Sequence, residues 1–187
     1  WSRGLGDVYK RQVRWSASGT DPRFRDIGMA TTYLPQNSNK RSITLDLKTP
    51  EGKAIFRKMV QGADVVVENF RSGVMDGLGL GYKALLELNP KIIFCSLTGY
   101  GQSPPKGQHR AYDGLIQAAS GMMTMVGTKE TGPLKVGPVI VDYASGLVGA
   151  YAIGMALLQR HQTGEGQYID VSMLHTALSL MSAIIVD

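Results

Sequence analysis

Alternating, β-branched and helix-periodic stretches follow one another along this chain. Residues 13–35 are polar, with Gly and Pro and no period, and read as loop with at most a short helix. Ile43-Thr44-Leu45-Asp46-Leu47 alternates apolar and polar positions, the period of a half-buried strand. Thr49-Pro50-Glu51-Gly52 then predicts a helix start: Thr49 supplies an N-cap oxygen, Pro50 suits the first turn, and Ile55, Met59 and Val60 share one face. Asp64-Val65-Val66-Val67-Glu68 is a continuous run of the kind buried on both faces of a parallel sheet, which completes a strand–helix–strand unit.

The alternation of elements continues. Residues 82–88 predict a short helix that Asn89-Pro90 breaks, and residues 92–97 a third strand, trailed by Thr98-Gly99-Tyr100-Gly101-Gln102. Residues 102–110 form a Pro/Gly/Lys loop, 112–121 a helix and 128–133 a turn-rich connector. The apolar run 136–141 reads as a strand that delivers Asp142 to a long helix over 143–162, which Gly164-Glu165-Gly166 stops. Residues 167–172 return as a strand, and Met173 opens an apolar helix cut off at Asp187. Strands separated by helices predict an α/β fold, in which ligands bind beyond the carboxyl ends of the strands.

Asp142 is the strongest candidate for chemistry, and two readings fit it. One is an N-cap whose oxygen accepts the orphan N–H groups of the first helical turn, worth about 1 kcal/mol. The other is an ionised nucleophile held at a helix start among residues too small to block an acyl substrate.

Composition narrows the class. A hydrophobic content of 43% with 19% charged residues suits a globular chain, and 187 residues suffice for one domain. Residues 1–12 lack periodicity and a methionine start, and their end, Asp7-Val8-Tyr9-Lys10-Arg11-Gln12, is similar to translated adapter sequence, so they are set aside as non-native. Without Arg3, Lys10, Arg11 and Asp7 the net charge drops from +5 to +3, which suits a phosphorylated small molecule and not nucleic acid. The single cysteine, Cys95, cannot form an internal disulfide and sits in a buried-strand pattern, which makes it apolar filler in a reducing compartment. No uninterrupted apolar run reaches the roughly 20 residues of a membrane span, and the N-terminus lacks a signal-peptide core. The expectation is a cytoplasmic protein with no membrane partner.

Several residues invite a bland reading. Gly77-Leu78-Gly79-Leu80-Gly81 follows no strand and lacks dinucleotide-loop spacing. His109 reads as a surface loop residue, His161 suits a helix C-terminus, and His175 on an apolar face reads as a core histidine. No histidine pair has metal-ligand spacing, so no metal is expected. Met122, Met123 and Met125 are as compatible with core filler as with a substrate lining.

The succession Asn39-Lys40-Arg41-Ser42-Ile43-Thr44-Leu45-Asp46-Leu47-Lys48, Asp64-Val65-Val66-Val67-Glu68-Asn69-Phe70, Leu88-Asn89-Pro90, Gly99-Tyr100-Gly101, Val141-Asp142 and Thr163-Gly164-Glu165-Gly166-Gln167 resembles the family III CoA-transferases. That group includes formyl-CoA and carnitinyl-CoA transferases, with α-methylacyl-CoA racemase as a relative. The likeness runs from about Gly19 to Asp187. It implies that residues 13–187 are part of the Rossmann-like large domain of a family III CoA-transferase, incomplete because an N-terminal strand and the C-terminal part, with its glycine-rich loop and small domain, lie outside the sequence. It further implies an interlocked homodimer for the full-length protein, an acyl-CoA donor, a carboxylic acid acceptor, and coenzyme A as a substrate thioester with no further cofactor.

Residue by residue, Asp142 matches the family's nucleophile, which forms an anhydride and then an aspartyl-CoA thioester. Asn69 and Phe70 match the pair beside the pantetheine, and Arg110 a basic position near CoA that is lysine in formyl-CoA transferase. Lys40 and Arg41, at a predicted strand start, suit phosphates or a solvated turn equally. Tyr112 stands where the racemases carry a histidine just before an aspartate, and tyrosine is a poor base near neutrality, which favours transfer over racemisation. Three functions remain open: CoA transfer, acyl-CoA racemisation, and CoA binding without turnover.

Overall fold

The structure, a computed structural model, describes residues 21–23, 34–103, 105, 107 and 109–185. The chain divides into two compact units, residues 1–56 and 57–187.

In the first unit, helix α1 (Leu34–Asn37) leads to Asn39, which turns the chain at φ 64°, a left-handed conformation asparagine tolerates. Residues 41–46 carry no regular structure, which corrects the predicted strand over 43–47, and Ile43 is exposed. Alternation sets which way side chains face, but a strand exists only with a ladder partner, and none stands beside this segment among the described residues. Its end is drawn into a turn instead. The Asp46 carbonyl accepts from the Thr49 N–H at 3.3 Å and the Thr49 hydroxyl at 2.9 Å, and the Thr49 Oγ1 accepts from the Gly52 N–H at 3.1 Å. Thr49 is thus the N-cap of helix α2 (Pro50–Gln61), as its sequence predicts. Gly52 is required here, since a Cβ would lie 1.8 Å from the Asp46 carbonyl oxygen.

The second unit is built on a parallel three-stranded sheet in the order β1 (Val65–Glu68), β2 (Ile93–Thr98), β3 (Gln167–Ser172). Helices α3 (Val74–Gly77) and α4 (Tyr82–Leu88) join β1 to β2. Helices α5 (Asp113–Ala119), α6 (Met122–Val126) and α7 (Ile140–Thr163) join β2 to β3, and α8 (Met173–Leu180) and α9 (Ser182–Ile185) follow. Burial on both faces belongs to β2, where Ile93, Phe94, Cys95 and Ser96 are buried. The predicted two-sided burial of β1 is corrected: Val67 is 56% exposed, because the long helix that covers its ladder partner Cys95 packs mainly on β2 and β3.

Helix α7 starts at Ile140, which corrects the predicted strand over 136–141. Pro138 has no N–H to give a ladder, and other N–H groups of the stretch are claimed by side chains of α5. One face of α7, with Val141, Ser145, Gly149 and Ala156, is buried, and a Cβ on Gly149 would lie 3.5 Å from Leu97 of β2. Its other side leaves Tyr143, Leu147, Tyr151, Met155 and Leu158 exposed in a helical stripe. By length and composition alone α7 could cross a membrane, but its buried face rests on β2 and β3. The core beside it joins Ile116, Met122, Val141, Ala177 and Met181 from successive helices and the turn after α8.

The lower ends of the sheet are fastened by polar side chains. Arg160 near the end of α7 donates to the carbonyls of Asp64 and Lys91 at 3.2 and 3.0 Å and to the Asp64 carboxylate at 2.7 Å. Asn89 donates to the carbonyls of Val60 and Ala63 at 3.0 and 2.9 Å, so the residue pair that ends α4 also holds the end of α2. Gly164 closes α7 in the left-handed region at φ 78°, and a Cβ on Gly166 would lie 2.1 Å from the Ile92 carbonyl oxygen. Because that obstacle is backbone, Gly166→Ala is expected to lower the unfolding free energy by about 1–3 kcal/mol in urea titration. An unchanged midpoint would contradict this close approach of the β3 start to β2.

Candidate active site

The carboxyl ends of the strands carry a polar network that organises the turn after β1. Glu68, the last residue of β1, is 7% exposed. Its carboxylate accepts the Phe70 N–H at 2.7 Å, a hydrogen bond from the Ser96 hydroxyl, and the Gln102 amide at 3.5 Å. Gln102 also donates its side-chain amide to the Ser96 oxygen and its backbone N–H to Asp170 of β3 at 2.9 Å, while Ser72 donates to the Gln102 carbonyl at 3.0 Å. Burial pushes the Glu68 carboxyl above its ordinary value, the Ser96 and Phe70 bonds act against that, and the charges of Asp170 and Asp76 reinforce it.

This network turns the chain so that Asn69 and Phe70 stand exposed at the end of β1, as the sequence reading places them. Behind them lies a cavity of about 360 Å³ lined in part by Glu68, Arg71, Tyr82, Phe94 and Tyr168, whose three rings pack with centroids 5.3–6.1 Å apart.

Asp142 occupies the first turn of α7 and is exposed. It is not the N-cap. That place belongs to Val139, whose side chain caps nothing, and the N–H groups of the turn are satisfied from another helix. Asp113, at the start of α5 and 3% exposed, accepts the Val141 N–H at 2.8 Å and the Asp142 N–H at 3.2 Å on the same Oδ2. Its Oδ1 accepts the Gln117 amide, and Gln117 Oε1 accepts the Val136 N–H at 2.9 Å. Two buried side chains one helical turn apart therefore hold both ends of residues 136–142. Partial burial raises the Asp142 carboxyl pKa, and the Asp113 charge raises it further.

The segment after β2 connects the two patches. Gln102 bonds Glu68 beneath Phe70, and Gly99 packs so closely on Ala111 that a Cβ would lie 1.9 Å from the Ala111 Cβ. Arg110 is exposed just before Ala111, and Tyr112, the α5 N-cap residue, is 65% exposed. Asn69 and Phe70 follow β1, Arg110 precedes α5 and Asp142 lies on the first turn of α7, and all four are exposed. Lys40 and Arg41 belong to the first unit, where both are exposed and Lys40 donates to the Gln36 carbonyl.

The remaining candidates take quieter places. Cys95 is fully buried and its thiol is pushed up to about 11 by that burial and by the Glu68 and Asp170 charges, which leaves it without nucleophilic character. His109 is exposed with its ring edge-on to Tyr100, and His161 is exposed in the last turn of α7. His175 is exposed, which corrects its reading as a core residue: Thr176 and Ala177 form the buried face of α8. Met122 is buried core, whereas Met125 is 43% exposed. Sequence reasoning gave no role to Glu68, Asp113 or Gln117. Asp113 and Gln117 do stand at a helix-turn spacing, but what they bind is set by contacts 19 to 29 residues away.

A family model described as CoA-transferase family III matches residues 11–187. The chain is 41% identical over 153 residues to the succinate–glutarate CoA-transferase of Agrobacterium fabrum, with 82% of this chain and 38% of that protein covered. It is 39% identical over 186 residues to the human succinyl-CoA:glutarate CoA-transferase, with 96% and 42% covered. Among solved structures, a CAIB/BAIF family protein from Brucella suis superposes with a TM-score of 0.76 at 39% identity, covering 79% of this chain and 39% of the other. The chain therefore spans about two fifths of the length of these proteins.

The Glu68 carboxyl supplies a test of the network. Its folded-state pKa lies above its ordinary value of 4.5, so ionisation subtracts stability as pH rises from there through the folded value. The stability gap between Glu68→Gln and wild type should accordingly shift in favour of the Gln variant between about pH 4 and pH 8 in urea unfolding. A gap independent of pH would mean Glu68 is not buried as described.

Proposed function

The chain belongs to CoA-transferase family III, and from that membership we propose that the complete protein moves coenzyme A from an acyl-CoA donor to a carboxylic acid acceptor, with Asp142 as covalent nucleophile. The observation that carries the assignment to Asp142 is its exposed carboxylate on the first turn of α7, made more basic by partial burial and by Asp113. A more basic carboxylate is a better nucleophile toward a thioester.

The steps balance without a further reagent. The Asp142 carboxylate attacks the thioester carbonyl, the C–S bond breaks, and a mixed anhydride forms as CoA thiolate leaves. The thiolate then attacks the aspartyl carbonyl and releases the donor acid, which leaves an aspartyl-CoA thioester. The acceptor carboxylate attacks that thioester to form a second anhydride, and the thiolate takes the acceptor acyl group and returns Asp142 as carboxylate. Each step crosses a tetrahedral oxyanion, so the covalent relay replaces one difficult exchange by several reversible acyl shifts.

Asn69 and Phe70 are the residues we assign to the pantetheine arm, and Arg110, with Lys40 and Arg41, to CoA phosphates. The names of the two curated relatives support short dicarboxylic acids, succinate and glutarate, as the first donor and acceptor to try. We extend the reading to a homodimer of the complete protein, which the exposed apolar stripe on α7 supports.

Asp142→Ala in the complete protein is expected to lower the turnover of succinyl-CoA with glutarate by on the order of 10³-fold or more, while CoA binding by calorimetry changes only a few-fold. Borohydride or hydroxylamine trapping during turnover should modify Asp142, and modification of a different residue would overturn the assignment. Retention of an α-deuterium label in the released donor acid and in the remaining acyl-CoA is expected; washout into solvent would point to racemisation.

A further inference from the structure

Resting on the assignment of Asp142 as nucleophile, we infer that Asp113 is a positioning residue for it: one buried carboxylate, reaching from α5, fixes the backbone that bears the nucleophile and occupies the helix end that would otherwise hold the nucleophile's charge.

The geometry is specific to this pair of helices. A carboxylate on the first turn of a helix ordinarily draws stabilisation from the free N–H groups and the positive end of the helix dipole, which makes it a weaker base. In α7 the Val141 and Asp142 N–H groups both point at Asp113 Oδ2, at 2.8 and 3.2 Å. Asp142 therefore keeps its exposed carboxylate outside that hydrogen-bonding arrangement, although its own backbone is held by it. Val141 between them is fully buried in the core with Ile116 of α5, so the strand of backbone carrying Asp142 is fixed by packing on one side and by a charge-assisted pair of bonds on the other.

Asp113 is itself fixed. Its second oxygen accepts the Gln117 amide, whose oxygen accepts the Val136 N–H, so a shift of the 136–142 turn would break three hydrogen bonds to two buried side chains. The electrostatic surroundings are few. Of the elements packed on α5, α6 contains no titratable residue, α8 contains only the exposed His175, and α7 brings Asp142 and Tyr143. Lys135 of the connector lies over Gly114, and Tyr112 flanks Asp113 in sequence. Two carboxylates thus share one helix start, with Asp113 inside and Asp142 outside. The inner charge adds to the partial burial that raises the outer group's pKa.

The test uses the complete protein and three forms of it. Asp113→Asn removes the charge and sets an amide against the Gln117 amide; the double variant Asp113→Asn with Gln117→Glu restores an acceptor for both the new amide and the Val136 N–H. The single variant is expected to lose roughly ten- to a hundredfold in kcat with KM for the acyl-CoA donor within a few-fold of wild type. The double variant should recover the wild-type unfolding midpoint. In Asp113→Asn the acid limb of the kcat/KM profile, which reports ionisation of Asp142, should move to lower pH, whereas the double variant returns a carboxylate to the cluster and should regain the lost kcat with the network. Wild-type kcat and an unmoved acid limb in Asp113→Asn would overturn the inference, as would a double variant that regains the wild-type unfolding midpoint but none of the lost kcat. Trapping on wild type separates the two levels: label on a residue other than Asp142 defeats the nucleophile assignment, whereas label on Asp142 with an unmoved limb defeats only the role of Asp113.

Discussion

A single oxygen of Asp113 that accepts two backbone N–H groups of α7 is the constraint on which the candidate site depends. It decides where α7 begins, because those N–H groups are the orphans every helix start must satisfy. It also decides what Asp142 is free to do. Had Asp142 capped its own helix, its oxygens would be spent on structure; with Asp113 in that place, the carboxylate at the first turn stays exposed and chemically available. The cost of burying Asp113 is offset by charge-assisted hydrogen bonds on both of its oxygens.

A second buried carboxylate repeats this logic at the end of β1. Glu68 closes the turn that presents Asn69 and Phe70, and its partners come from β2 and from the loop that trails it. The loop's Gln102 reaches β3 through Asp170, so one residue after the central strand ties the ends of all three strands. Phe70 and Asp142 are therefore each backed by a buried acidic group, Glu68 tied to the strand ends and Asp113 tied to Gln117. Exposure without such backing would leave Phe70 and Asp142 on mobile turns, where a displacement of about 1 Å costs an enzyme on the order of a hundredfold in rate.

Helix α7 links the site to the rest of the unit. Its small residues, Ser145, Gly149 and Ala156, let it lie close on the sheet, and Arg160 at its far end clamps the starts of β1 and β2. The same element therefore ties the starts of two strands together and carries Asp142. Because its opposite face is apolar and exposed, α7 also has area to give to further protein surface, in keeping with relatives more than twice as long.

Local signals carried much of this far. Thr49-Pro50 marked the start of α2, Asn89-Pro90 the end of α4, Gly164 the end of α7, and the runs at 92–97 and 167–172 lie within a residue of β2 and β3. These succeed because caps, breakers and buried strands are written in neighbouring residues. The chain order of motifs likewise marked Asp142, Asn69, Phe70 and Arg110 before any contact was known. The failures share one cause. Residues 43–47 needed a strand partner, residues 136–141 lost their N–H groups to Asp113 and Gln117, Val67 needed a further neighbour to be covered, and His175 needed the opposite face of its helix. Each is decided by residues distant in sequence. Sequence alone thus marked Asp142 as the candidate carboxylate; only tertiary structure decided that another carboxylate, 29 residues earlier, caps its helix and leaves it exposed, because a hydrogen bond between helices is a property of their packing and not of either segment.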